Sequence, residues 1–342
     1  MPRSIEERTV LPASIIRGST QGSAMVEYAG LPALQQILHT PQTLDESVAD
    51  YYFAVERSNF LRLFGENGVS KVLIDYLADR QDVTILVPGS DGKLEKGPFL
   101  KGMYSPMEVV VICNEIGTFE ETRDSIIDLA RDGGLPSTDD RMEHKVLAQP
   151  RAPLSGYKGE TRHSWPDRIL NSKLVFGPAE LFEQAQDQVF QEWRSIGDVR
   201  SSVKGYLKQF VATTRTGEVT RRGETHRHFD LDTGEIFYDE NNYVLGLKYG
   251  PIRALQVFLA KYQLETGARA QGETNTVRKL LTLFPGEDEV ALAYQMALRI
   301  YHWQQFETKN GKPAYVQIKS QELRSITRPI LDFIQRKSTK SA

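Results

Sequence analysis

Residues 88–112, PGSDGKLEKGPFLKGMYSPMEVVVI, hold the side chains best suited to chemistry. Gly89, Ser90 and Gly92 make a turn in which two glycines let the backbone approach a ligand closely, Ser90 offers a hydroxyl, and Lys93 adds a cation. A long loop follows, and the next apolar run opens on the acid Glu108. Amides, a hydroxyl and an ammonium can hold phosphate oxygens, and a carboxylate can hold a hard divalent cation. Gly-Ser-Asp-Gly by itself is more often only a turn.

The elements that must position these residues are legible from periodicity. Residues 83–90, VTILVPGS, read as a buried strand ending in the turn, and MEVVVICNEI as a second strand with four consecutive apolar residues, covered on both faces. Upstream, DESVADYYFAVERSNFLRLFGENGVSKVLIDYLADR has helical spacing at Val48, Tyr51, Tyr52, Val55, Phe60, Leu61 and Phe64, with a break at residues 66–68. Downstream comes a helix, TFEETRDSIIDLARDGGLP, with Thr118 as its expected N-cap and Gly133-Gly134 as its stop. A short strand in HKVLA, a third strand in RILNSKLVFGP, and an amphipathic helix carrying Leu181, Phe182, Ala185, Val189 and Trp193 complete a small α/β unit.

After Gly197 strand signals nearly vanish and 3.6-residue periodicity dominates, apart from a hairpin or ordered loop expected in HRHFDLDTGEIFYDENNYV. The expected organisation is a partly irregular extension over 1–45, an α/β domain over 46–196, a helical domain over 197–337 and a tail over 338–342.

Composition narrows the function classes. The 342 residues carry 42 basic against 45 acidic side chains, a net charge of −3, so no global field draws in nucleic acid and that partner is not expected. Hydrophobic residues at 40% and charged ones at 25% are ordinary for a chain that buries a core. Cys113 is the sole cysteine, which rules out an intramolecular disulfide and reads as a small core hydrophobe. With no signal-like N-terminus and no run long enough to span a membrane, the expectation is a cytoplasmic protein, or one secreted without a cleaved signal.

The order of elements, together with PGSDGKLEKG and GLKYGPIRALQVFLAKYQLETGARAQGETNTVRKLLTL, resembles the nucleotidyltransferases of the DNA-polymerase-β-like fold. Within that superfamily the chain looks similar to the bacterial nucleotidyltransferases with a helical C-terminal substrate-binding domain, kin to the uridylyltransferase that modifies the nitrogen-sensor protein. The resemblance covers about residues 46–337 and is stronger in the C-terminal half. Leu247, Lys248, Gly250, Arg253, Thr274, Asn275, Thr276 and Arg278 fill places of that family's C-terminal motif, with Gly246 where it carries an acid. Gly89, Ser90, Gly92, Lys93 and Glu95 match its Gly-Ser signature, with lysine in place of the favoured arginine.

What the resemblance implies is transfer of a nucleoside monophosphate from a nucleoside triphosphate to a hydroxyl acceptor, which can be a protein. It implies a small mixed sheet followed by an all-helical domain, and a cleft lined by Gly89, Ser90, Lys93, Glu108, Lys248 and Arg253. Ser90 and Lys93 would bind the phosphates, Lys248 or Arg253 the departing pyrophosphate, and Glu108 a Mg²⁺ or Mn²⁺ ion. The family's metal-binding pair is Asp-x-Asp, and here it reads Pro106-Met107-Glu108. Proline has no side-chain oxygen, so the two-metal geometry is weakened unless Asp91, Glu95 or Asp167 adds a ligand. A competing reading follows: a catalytically degenerate relative acting as a regulatory or protein-interaction module.

Other clusters read more plainly. His226, His228, Asp230 and Asp232 alternate so that two histidines share a strand face, but no third ligand at zinc spacing is evident and a solvated hairpin is preferred. RTGEVTRRGETHR reads as a basic surface loop. Lys248 has a purely structural alternative, pairing with Asp239 or Glu240.

Overall fold

The structure, a computed structural model, describes residues 44–66, 68–96, 109–113, 116–132, 145–148, 169–195, 197–221, 223–270, 273–308 and 313–339. It divides into two compact units: one takes in 53–197, the other joins 44–52 to 198–339. The division falls within the first helix, α1 (Leu44–Phe64), whose opening turns belong to the second unit.

In the first unit, α1 continues past Phe53 to a break at Gly65 and Gly68, and α2 (Val69–Leu77) follows. Four strands form one sheet in the order β3-β2-β1-β4, with β1 Val83–Val87, β2 Val110–Cys113, β3 Lys145–Ala148 and β4 Lys173–Phe176. Central β1 runs antiparallel to both neighbours, and β3 lies parallel to β2, so the sheet is mixed. Every residue of β1 and β2 is buried, Thr84 among them with its hydroxyl donating to the Pro178 carbonyl at 2.6 Å. On one face Ile85, Val87, Val111 and Cys113 pack with Leu73 and Leu77 of α2 and Ile126 of α3 (Ile116–Arg131). On the other lies α4 (Ala179–Ser195), with Leu181, Ala185 and Val189 turned inward at 3.6-residue spacing. Each such aliphatic side chain contributes about 1.5–3 kcal/mol on burial.

One sequence expectation differs from the structure, and one lies beyond the described residues. Helix α3 starts at Ile116, two residues before the proposed cap Thr118, whose hydroxyl instead reaches toward Asp82 at 3.4 Å. The stop at Gly133-Gly134 lies outside the described residues.

The second unit is mostly helical: α5 (Gly197–Thr216), α6 (Pro251–Thr266), α7 (Thr276–Leu283), α8 (Asp288–Glu307) and α9 (Ser320–Thr339). Pro251 opens α6, where its missing N–H costs nothing, and Gly267 closes it at φ 73°, donating back to Gln263. The core gathers Leu255, Phe258 and Leu259 of α6, Leu280 of α7, Tyr294 and Ala297 of α8, and Ile330 and Phe333 of α9 around Phe229 and Ile236.

An all-helical domain is not what forms. Five short strands make two small sheets: a hairpin of β5 (Glu218–Arg221) and β6 (Glu224–Arg227), and a three-stranded sheet β8-β7-β9 with β7 Glu235–Asp239, β8 Val244–Leu245 and β9 Ala314–Gln317. The turn between β6 and β7 is the expected one, with Asp230 accepting from the backbone of Asp232 and Thr233. Its strands are not simply solvated, because His228 and Phe229 are buried between α5 and β7. Among the described residues no helix is long and apolar enough to cross a membrane.

Candidate functional site

The turn after β1 is built tightly. Gly89 takes φ 67°, a left-handed conformation costly to residues with a side chain, and residues Gly89–Gly92 form one helical turn. The Lys93 amide donates to the Gly89 carbonyl at 3.0 Å and the Glu95 amide to the Ser90 carbonyl at 2.8 Å. Leu94, at φ 58°, is a second left-handed residue and the one that lacks glycine's freedom. Asn59 of α1 fastens the outgoing strand of this turn, donating to the Lys96 carbonyl at 2.7 Å and to Val55 at 2.8 Å.

Ser90 is exposed, as a phosphate ligand must be. Lys93, Glu95 and Lys96 are not: they retain 2%, 1% and 7% of their surface. Two lysines and one glutamate are thus buried in succession behind the turn, where the lower dielectric strengthens any interaction between their charges. The sequence motif thus presents its hydroxyl outward and its cation inward.

The strand register carries the geometry further. Leu86 pairs with Val110 and Val83 with Cys113, so the exit of β1 and the start of β2 share one end of the sheet. Glu108 and Pro106 lie outside the described residues; Val109, the next residue after Glu108, is buried in the sheet core. Asp167 also lies outside the described residues. Among the described residues no three His, Cys, Asp or Glu side chains gather as a metal site, and this holds for His226 and His228 as well.

In the second unit, Lys248 and Arg253 sit on either side of Gly250, in a 3-10 turn (Gly246–Tyr249) and the first turn of α6. Lys248 pairs with neither Asp239 nor Glu240. Its Nζ donates to Tyr301 Oη at 2.8 Å and lies 5.1 Å from that ring's centroid. An ammonium has three donors, so two remain for an anion. Arg253 donates to Gln256 Oε1 at 3.3 Å, Gln256 to Tyr294 Oη at 2.7 Å, and Tyr294 to Thr276 Oγ1 at 3.2 Å. Asn275 caps α7, its Oδ1 accepting from Val277 and Arg278 at 3.1 and 3.2 Å and from the Tyr52 hydroxyl. Tyr51 Oη meets His302 Nδ1 at 2.8 Å, and burial pulls the neighbouring Arg299 guanidinium below its ordinary range.

The tyrosines were not picked out from sequence. Tyr294 and Tyr301 are seven residues apart on α8, hence on one face, and that spacing was the available signal. Gly246, where the resembled family carries an acid, is buried at φ 51°, and a Cβ there would meet Gln304 Oε1 at 2.5 Å. The left-handed backbone at φ 51° is the feature that favours glycine at this position, with the Gln304 side chain close by. No family model matches the chain, and no curated protein matches it.

Proposed function

We propose that this chain is a nucleotidyltransferase-like protein that receives the phosphates of a nucleoside triphosphate at the turn Gly89–Gly92. The supporting observation is the antiparallel register of β1 with β2, which brings the turn and the start of the next strand to one end of the sheet. Phosphate ligation and a carboxylate are wanted side by side there. Ser90 donates its hydroxyl to a phosphate oxygen, and buried Lys93 offsets phosphate charge through its field. In the second unit Lys248, with two donors beyond its bond to Tyr301, and Arg253 are proposed as anion ligands. The reaction is attack of an acceptor hydroxyl on the α-phosphorus: a P–O bond forms to the acceptor, the bond to pyrophosphate breaks, and the hydroxyl proton leaves to a base.

Glu108 supplies the carboxylate of this proposal. Glu108 would hold a Mg²⁺ or Mn²⁺ ion, which would supply charge neutralisation at the phosphates. The burial of Lys93 and Glu95, with proline at position 106, favours a second reading, a protein that binds a nucleotide without transferring it and serves as a regulatory or interaction module. Incubation with each α-labelled triphosphate, Mg²⁺ or Mn²⁺ and candidate protein acceptors decides between them. Label transfer lost in Glu108→Ala supports the enzyme. Saturable binding without transfer supports the module.

A further inference from the structure

Helix α5 carries a basic stripe along the edge of the face that packs into the core. Val203, Leu207 and Phe210 turn into the core, while Lys204, Lys208, Val211 and Arg215 recur at intervals of four, three and four, which places them in one stripe. Facing this stripe across a groove of about 290 Å³ are Leu331, Ile334, Gln335 and Ser338 of α9, spaced alike, with Lys261 of α6 at the edge. The groove floor is aliphatic, from Leu207, Val211, Leu331 and Ile334, and its rim carries four cations. Lys261 is paired with Glu265. Lys204, Lys208 and Arg215 are exposed and make no ion pair among the described residues. In a chain of net charge −3, a groove lined by four cations and no acid is a local inversion of the overall balance.

We propose that this groove between α5 and α9 docks an acidic amphipathic helix of a partner protein. The helix would lay aliphatic residues on the floor and acidic ones against Lys204, Lys208 and Arg215. Lys204 and Arg215 span about 16 Å of helix axis at 1.5 Å per residue, matching roughly three turns of a docked helix. Unpaired cations flanking an apolar strip are complementary to such a ligand in both charge and polarity. A single-stranded nucleic acid would need ring surfaces for its bases to stack on, and the lining holds no aromatic residue. A lipid bilayer takes up an outward apolar face, whereas here the aliphatic strip is the floor of a concavity between two helices. The proposal lies wholly within the second unit and is independent of nucleotide binding at the turn after β1.

The test is fluorescence anisotropy with the full chain and a labelled helical peptide of about fourteen residues, roughly 21 Å long. The peptide carries Leu at helical intervals on one face and Glu on the others. Saturable binding that weakens with salt, and falls at least about tenfold in Lys204→Glu/Lys208→Glu/Arg215→Glu, is the expected result. All three side chains are exposed, so the variant should keep its thermal transition; Leu331→Asp, altering the floor, should weaken binding as well. No saturable binding overturns the proposal. So does equal binding of a scrambled peptide of the same composition or of a single-stranded oligonucleotide, or indifference to the charge reversals.

Discussion

Leu86 of β1 lies opposite Val110 of β2 in an antiparallel ladder, which puts the left-handed Gly89 turn at the end of the sheet where β2 begins. The conformation at Gly89 is the most fragile part of that arrangement. Gly89→Ala forces a side chain into φ 67° at a cost of about 1 kcal/mol, small against the stability of a domain but applied at the turn proposed to receive phosphate. The expected outcome is a folded protein, by circular dichroism, whose triphosphate affinity falls more than its melting temperature does.

Gly246 tests the packing around the second unit's cations. Gly246→Ala places a Cβ against Gln304 Oε1, and Gly246→Asp adds a carboxylate in the same buried space. Denaturant titration should show a loss of about 1–3 kcal/mol for alanine and more for aspartate. Combining Gly246→Ala with Gln304→Ala should recover part of the contact cost but not the backbone strain, so the double variant stays below Gln304→Ala alone.

Asn275 joins two functions in one oxygen, capping α7 and accepting the Tyr52 hydroxyl. Asn275→Ala should cost about 1–3 kcal/mol, since it removes a cap and leaves a buried hydroxyl without its partner. Tyr52→Phe should cost less. A double-mutant cycle by chemical unfolding should show coupling of about 1 kcal/mol, and strict additivity would separate the two groups.

Acid stability should report on His228. The ring is fully buried, stacks on Tyr249, accepts the Leu245 amide at Nδ1, and has no partner for Nε2 among the described residues. Desolvation, helped by the charge of His226, lowers its pKa from 6.5 to about 4. The unfolded chain therefore accepts a proton that the fold refuses. Stability is complete above about pH 6.5, declines as pH falls toward 4, and levels off below, with a total near 3 kcal/mol. Urea midpoints followed from pH 7 to pH 4.5 should fall for the parent chain and fall less for His228→Gln.

Much of the sheet and its helices could be read directly from the chain. The β-branched run at 83–87 and the apolar run at 109–113 point to buried strands, and the 3.6-residue spacing of Leu181, Ala185, Val189 and Trp193 fixes a one-sided helix. The strands of the second unit were less legible because they are short and partly exposed, without the apolar runs of β1 and β2. β9 in particular is paired to β7 across some eighty residues of chain. The site was legible by residue type but not by orientation. Nothing in GSDGKLEK distinguishes a lysine presented to solvent from a buried one, and Lys93 is buried next to the left-handed Leu94 in a segment that Asn59 clamps at Lys96. Lys248 found Tyr301 rather than a carboxylate because α8 passes beside its turn, a contact that no local pattern encodes.

The most direct measurement is calorimetric titration of the intact protein with each of the four ribonucleoside triphosphates in the presence of Mg²⁺. One triphosphate at least should bind at a single site, with affinity reduced about tenfold or more in both Ser90→Ala and Glu108→Ala while the fold is retained. Absence of binding heat with all four triphosphates, or binding that neither substitution alters, would contradict a phosphate site at the end of β1.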